Sequence, residues 1–589
     1  MFPVLYEQLI GASFSPLKIS MTLIAFKHDF VDQLFLTHLL NIFTLFVKVG
    51  GQERDKRGEV GRRNMMPIPN TAAASLRYNV SPSATAALVD EFLQDLIKSG
   101  VFTPEHSYLA LDKSKVQRAR QGVMARAREE GDSECSLGEV EGIYFDGRKD
   151  QTKTLEEDPV TGRYHPKLVK ESHITVTSEP KGSYMFHFTP EKSIPPNKPA
   201  YMEALALVTW MEQQGLDKTV KVLGGDSTNP NTGWAGGAMT WVERLLNRKV
   251  FWMICAIHTN ELPLRHLIER LIGKTKGKDK FNGPIGEKLY VVNQLERNYS
   301  FKPIPGLSEL QTIPPQVVAE MSNDSSLFYR LGMAIRTGQL PAELATRKCG
   351  TLVHSRWLTT GTAILLLYVS HHGLEEEEEL KLELLAKFTL QVYHHMYWEI
   401  KVKHSIVEAP RHVLTQLSLL RKQDPSVQEI VAPYVRSGAW FAHSEAIILS
   451  LISSQDKKER EFGVQMIIKR RGNSEFGDNA VRARRTPDIN LQASSLTTLI
   501  SWETDIHEPV FTVKLSKAEV QSLVESPFCP PYFPCHTQST ERAVRQVTEA
   551  ADSVVGFQAR HGFVLARQAS RAALPRFGTK QDIMKMFCD

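Results

Sequence analysis

Residues 221–270 read KVLGGDSTNPNTGWAGGAMTWVERLLNRKVFWMICAIHTNELPLRHLIER. The apolar run into this stretch predicts a strand over Thr219–Leu223, closed by Gly224-Gly225-Asp226. Apolar residues at helical spacing over Ala235–Leu246 come next, then a short apolar run over Val250–Ala256, then a helical pattern from Glu261 to Leu271. Strand, helix, strand, helix is the pattern of parallel neighbours joined by helical crossovers.

Upstream the pattern changes. Glu139–Phe145 is a strand candidate that stops at Asp146-Gly147, read as a turn. Leu168–Ser178 alternates as a second strand, Pro180-Lys181-Gly182 makes a turn, and Tyr184–Phe188 is a third strand. A helix over Pro199–Gln214 then leads to the strand before Asp226. Three strands joined by turns predict an antiparallel meander. Added to the later alternation they give a mixed five-stranded sheet with helices on both faces, the RNase H-like arrangement. Downstream, residues 276–515 read as an all-α block, with helices over Ala319–Arg336, Thr362–Tyr368, Glu375–Tyr397, Val413–Arg421, Val427–Arg436 and Glu445–Lys458. Residues 469–495 are expected to be a polar, basic loop with Lys469, Arg470, Arg471, Arg482, Arg484 and Arg485. Ser516–Val524 and Thr540–Ser553 return to helix.

The fold class is thus α/β plus all-α: a sheet domain interrupted by a large helical insertion, with a helical N-terminal region. The expected boundaries are 1–70 for an apolar and linker region of unsettled status and 71–134 for a basic helical region. The first part of the sheet domain is 135–275, the insertion 276–515, and the remainder of the sheet domain 516–589. A chain of 589 residues has room for this many parts.

The net charge of +5 is weakly basic, and clustering says more than the total. Leu111–Glu130 carries Lys113, Lys115, Arg118, Arg120, Arg126 and Arg128 with no acid between the first and last of them. That helix is either a DNA-phosphate surface or an ordinary solvated face. The six cysteines show no regular framework and no C-x-x-C pair, which fits a reducing compartment. The apolar run Leu34–Val49 is interrupted by His38, Asn41 and Lys48, so no membrane span is expected. No basic stretch followed by an apolar run opens the chain, so no cleavable signal peptide is expected either.

Asp146 and Asp226 each stand at the end of a candidate strand. Phosphoryl transfer on DNA uses two divalent ions roughly 4 Å apart, and magnesium takes hard oxygen ligands. Carboxylates converging from the ends of neighbouring strands meet that need. Taken singly, each residue also has an ordinary reading, Asp146 as a turn residue and Asp226 as a helix cap.

Four segments in order give these acids a context. They are Phe145-Asp146-Gly147, then Asp226 with Asn229, Asn231, Cys255-x-x-His258, Asn260 and Leu262, then His354–Thr360 (HSRWLTT), then Gln538–Val544 (QSTERAV). Together they resemble the hAT superfamily of DNA transposases over roughly residues 138–570. The resemblance implies an RNase H-like fold and an acidic triad of Asp146, Asp226 and Glu541 that holds Mg2+ or Mn2+. It implies DNA as partner, with self-association left open, and a nuclear rather than cytoplasmic location. Lys113, Lys115, Arg118, Arg120, Lys469, Arg470 and Arg471 are the candidate DNA contacts. Trp357 either stacks on a flipped base or belongs to a helical core. Cys255 and His258 lack a second ligand pair in the sequence, so zinc is not expected, and they read as a structural pair beside the site.

The sequence departs from the family in places. Arg148 stands where the family has Trp, Val544 where it has Phe, and Ser539 is one residue closer to the acid. No C-x-x-C…H-x-x-x-H finger is present. Three functions therefore stay open: an active enzyme of strand cleavage and transfer, a catalytically silent domesticated relative acting as a DNA- or protein-binding module, or an unrelated nuclease of the same fold.

Overall fold

The computed structural model describes residues 67–134, 140–190, 199–273, 281–304, 313, 318, 321–352, 357–472, 484, 486–503 and 506–572. The Leu34–Val49 run, Cys135, His354, Ser355, Arg356, Arg482, Arg485 and Cys588 lie outside the described residues.

The chain divides into two compact units, Met1–Ala127 with Ala566–Asp589, and Arg128–Leu565. In the first, α1 (Pro69–Arg77), α2 (Pro82–Lys98) and the start of α3 (Lys113–Glu134) enclose a small core that includes Ala74, Val89, Leu93, Phe102, Leu111 and Val116. Ser81 starts α2 by accepting from the Ala84 amide, with Pro82 in the first helical position. The Asp90 carboxylate accepts from the Leu111 amide at 2.7 Å and ties the approach to α3 back onto α2.

The second unit is built on a five-stranded sheet: β1 (Gly142–Glu157), β2 (Tyr164–Glu179), β3 (Ser183–Phe188), β4 (Val222–Gly225) and β5 (Phe251–Ile254). Their order is β3-β2-β1-β4-β5. The β1–β2 and β2–β3 pairs are antiparallel, and β1–β4 and β4–β5 are parallel. Helix α4 (Pro199–Gln213) joins β3 to β4, and α5 (Ala238–Leu246) joins β4 to β5. The mixed sheet expected from the sequence is therefore present.

One expectation is corrected. Asp146-Gly147 is not a turn: β1 runs through it to Glu157, paired with β2 all the way to Glu157↔Tyr164. The turn lies at Asp158–Arg163, where the Asp158 carboxylate accepts from the Val160 and Thr161 amides and Gly162 takes φ +64°. The outer half of this hairpin is largely exposed, so no core imprints an alternating pattern on it.

Period-two alternation sorts the sheet into two faces. Ile143, Phe145, Leu223, Trp252 and Ile254 pack with α4 and α5 through Ala204, Leu207, Met211, Met239 and Val242. Tyr144, Val222, Phe251 and Met253 point the other way, into a larger core shared with the helical block. That block follows α6 (Ala256–Leu271) as α7 (Gly283–Val291), α8 (Asn323–Thr337), α9 (Trp357–Tyr368), α10 (Glu376–Phe388), α11 (His395–Val402), α12 (Ala409–Leu420), α13 (Pro425–Gly438), α14 (Ser444–Ile452), α15 (Lys457–Gly472) and α16 (Lys517–Ser522). Among the described residues this stretch holds helices, short turns and isolated bridges, and no sheet. The chain then returns to the sheet with α17 (Gln538–Ser553), and α18 (Phe557–Ala572) is the last helix among the described residues.

Several boundaries differ from expectation, among them three that bear on candidate residues. Helix α6 begins at Ala256, which puts His258 in its first turn. The single helix expected over Glu445–Lys458 is two, α14 and α15. Lys469, Arg470 and Arg471 consequently form the last turn of α15, where basic side chains suit the helix dipole, and not a loop.

Arg484, expected in a polar loop, is buried. Its guanidinium bonds the Glu243 carboxylate, the Glu445 carboxylate at 2.8 Å and the Val250 carbonyl at 2.7 Å, and lies over the Trp252 ring. It joins α5, α14 and the approach to β5. No helix among the described residues is long and apolar enough to cross a membrane.

Candidate active site

The parallel register carries the site. Ile143 pairs with Leu223 and Tyr144 with Gly224, a register that leads on toward Asp146 in β1 and Asp226 just past the end of β4, and the Asp226 charge acts on Asp146. Alternation puts Asp146 on the same face as Tyr144, and Asp226 on the same face as Val222 and Gly224. Gly224 is required there: a Cβ would sit 2.2 Å from the buried Tyr144 ring, which is fixed by its hydroxyl donating to the Pro534 carbonyl. Just past β5 the Cys255 amide donates to the Gly225 carbonyl at 2.9 Å, so Cys255 adjoins the residue before Asp226.

Helix α17 lies on this face. Its Ser539 hydroxyl bonds the Glu179 carboxylate, Thr540 bonds Thr177 at 2.8 Å, and Thr548 bonds Asp150 at 2.9 Å. The segment entering α17 is docked against the end of β5: the Ala256 amide donates to the Cys535 carbonyl at 2.8 Å and the Thr537 amide to the Cys255 sulfur at 3.4 Å. Glu541 sits in the first turn of the helix so held. Asp146 thus feels the charges of both Asp226 and Glu541, which come from positions far apart in the chain.

The carboxyl groups are individually fixed. Oδ1 of Asp226 accepts from the Thr228 amide, the Thr228 hydroxyl and the Asn231 side chain, at 3.1, 2.6 and 2.7 Å. Asp146 accepts from the Gly147 amide at 2.7 Å, and Glu541 from the Thr537 hydroxyl at 3.3 Å.

Their electrostatics mark them as a group. Burial, then the Asp226 charge and a smaller contribution from Glu541, push Asp146 up to about 7. Two acids that sequence reasoning missed belong to the same field. Glu203 on α4 is pushed up to about 8 by burial and then by Asp226 and Asp146. Glu261 on α6 is pushed up to about 8 by burial and by Glu541, with His258 acting in the opposite sense. The one signal for Glu203 was its place as a single acid on a mainly apolar helical turn; Glu261 had none. Burial works against the charged form of His258, but its hydrogen bond to Cys255 and the charges of Cys255, Glu261 and Asp226 hold its pKa well above the usual imidazole range.

The candidate DNA contacts fall in different places. Lys113 and Arg118 on α3 are exposed and Lys115 is half-buried, so all three can meet a ligand. Arg120 is corrected: it is buried, its guanidinium donating to the Val80 carbonyl at 2.9 Å, because the helix turns that position onto the core. Arg471 is corrected as well: it makes a two-nitrogen pairing with Glu508 and donates to the Leu515 and Thr512 carbonyls. Lys469 is exposed and reaches the Trp502 carbonyl at 3.2 Å, while Arg470 is half-buried. Trp357 is buried in the helical core, which overturns its reading as a base-stacking residue.

No family model matches the chain, and no curated protein matches it. Among solved structures it is similar to the Drosophila P element transposase strand transfer complex, at 10% identity and a TM-score of 0.30, over 91% of this chain and 97% of that chain.

Proposed function

We propose that this chain is a transposase-like protein that cleaves and transfers DNA strands, with Asp146, Asp226 and Glu541 as its reactive carboxylates. The observation that carries the reading is the charge coupling of Asp146, within β1, to Asp226, just past the end of β4, and to Glu541, in the first turn of α17. The residues fit divalent ions of the magnesium or manganese kind. They are hard oxygen donors, and with Glu203 and Glu261 they form an acidic cluster in which burial and repulsion together disfavour ionisation. A cation offsets both. Bound there, such ions supply a polarised nucleophile and neutralise charge on the phosphate.

What the chain contributes is orientation. Thr228 and Asn231 lock the plane of the Asp226 carboxylate, and Thr537 restrains Glu541. Preorganised carboxylates need no rearrangement as charge develops. Lys113, Lys115 and Arg118 are the surface through which we expect DNA phosphates to be held.

The test is nicking of DNA that carries the sequences flanking the coding region, with Mg2+ or Mn2+, for the wild type and Asp226→Asn side by side. Cleavage lost in the variant supports the reading. Cleavage in neither, with DNA still bound, makes the chain a DNA-binding relative without catalysis.

A further inference from the structure

The end of β5 holds a donor set of a different chemical character. One ligand atom from each of Cys255, His258 and Glu541 lies within 4.8 Å of the other two. Thiolate, imidazole and carboxylate together suit zinc-class ions, whereas magnesium takes oxygen ligands.

The backbone holds this set in place. Cys255 follows the last paired residue of β5, Ile254, and caps α6, and His258 lies within the first turn of that helix, so strand end and helix start carry two donors on one short segment. Thr537 brings the third: its amide donates to the Cys255 sulfur and its hydroxyl to the Glu541 carboxylate. A second observation points to a ligand. Nδ1 of His258 is buried and makes no hydrogen bond among the described residues, a condition that a buried polar atom rarely keeps without a purpose.

We propose that Cys255, His258 and Glu541 form a site for one zinc-class ion, three protein ligands with a fourth position open to water or a phosphate oxygen. Asp146 and Asp226 are not part of it. The site stands independently of the cleavage reading, with which it shares only Glu541.

Co2+ serves as the probe, because its bond to a thiolate absorbs in the near ultraviolet. Titrating the metal-free full chain should give a thiolate-to-cobalt band that saturates at one ion per chain, is abolished by Zn2+ and is untouched by Mg2+. Cys255→Ser should remove the band, and the exposed Cys529→Ser should keep it. Glu541→Gln should lower Co2+ affinity by about tenfold or more. Asp226→Asn should leave the band unchanged. A wild type without the band overturns the proposal, as does a folded Cys255→Ser that retains it. If Cys255→Ser does not fold, His258→Gln decides, since unchanged Co2+ affinity in that variant overturns the proposal equally. The band without DNA cleavage keeps this site and removes the magnesium reading; cleavage without the band does the reverse.

Discussion

Asp146 is coupled to Asp226: β1 and β4 run parallel, and their last paired residues, Tyr144 and Gly224, lie two steps before the two acids. Strand pairing leads to the two acids, and Thr228 and Asn231, just after β4, fix the Asp226 carboxylate. The charge on Asp226 is, after burial, the largest influence raising Asp146.

Asp226→Asn separates a structural acid from a reactive one. Asparagine keeps an oxygen that accepts from Thr228 and Asn231, so the fold should be kept, with a change in unfolding free energy of less than ~1 kcal/mol. Strand cleavage should fall by roughly a hundredfold to a thousandfold or more. The two are read by a thermal melt and a nicking assay, and persistent cleavage in a folded variant removes Asp226 from the mechanism.

The acids also predict a pH dependence for the metal-free protein. Asp146, Glu203 and Glu261 all have folded values raised above their ordinary ones, so the folded state binds their protons more tightly. Their contribution to stability is full below the ordinary carboxylate range. It declines as pH rises, until the last of them ionises near 8. Melting temperature should show that decline, and Asp146→Asn should flatten the part of it below about 7. Added Mg2+ should stabilise more at about pH 8 than at about pH 5, since it binds the ionised groups. A melting temperature that climbs steadily to pH 8 without metal, in wild type and variant alike, contradicts this.

On α3, Arg118 and Arg120 should behave oppositely although two residues apart. Arg118→Gln leaves stability unchanged and, if the helix holds DNA, reduces the steepness with which affinity falls with salt by about one ion's worth. Arg120→Ala strands the Val80 carbonyl and should cost about 1–3 kcal/mol in unfolding. Binding isotherms at several salt concentrations, with a urea melt of each variant, check both. Equal salt slopes for wild type and Arg118→Gln would return the helix to an ordinary solvated face.

Arg484→Met should be among the most damaging single changes. It leaves the Glu243 and Glu445 carboxylates buried without their shared cation, at a cost of about 3–5 kcal/mol. Replacing both glutamates by glutamine in the same chain should recover part of the loss, because the isolated charges go with them. Urea midpoints of the single and triple variants measure this, and a single variant as stable as the wild type rejects it.

The elements that were legible are those whose burial imprints a period. The alternation of strand and helix from Thr219 to Leu271 marked β4, α5 and β5, and with them the setting of Asp226. The outer half of the β1–β2 hairpin was not legible, because a ribbon with little core leaves no hydrophobic pattern and Asp146-Gly147 then looks like a turn. Arg484 was misread because charge in a polar stretch says nothing about a carboxylate pair waiting on two distant helices. Arg120 and Arg118 are indistinguishable by type, and only the helix phase buries one of them. Glu203 reaches the site from the helix between β3 and β4, a relationship that exists only once the sheet has formed.

The helix that completes the acidic cluster arrives only after the whole helical block. As the chain is synthesised, all five strands emerge with Tyr144, Val222 and Phe251 on a face whose cover is not yet made. The whole helical block must follow before α17 can settle on Thr177 and Asp150. Closure between such distant segments is slow, and a growing chain with that face bare is a natural client for chaperones. A product that stops between Asp226 and Glu541 carries two of the three acids and lacks the third. Completeness of translation thus becomes a safeguard, since no fragment released early contains the full set.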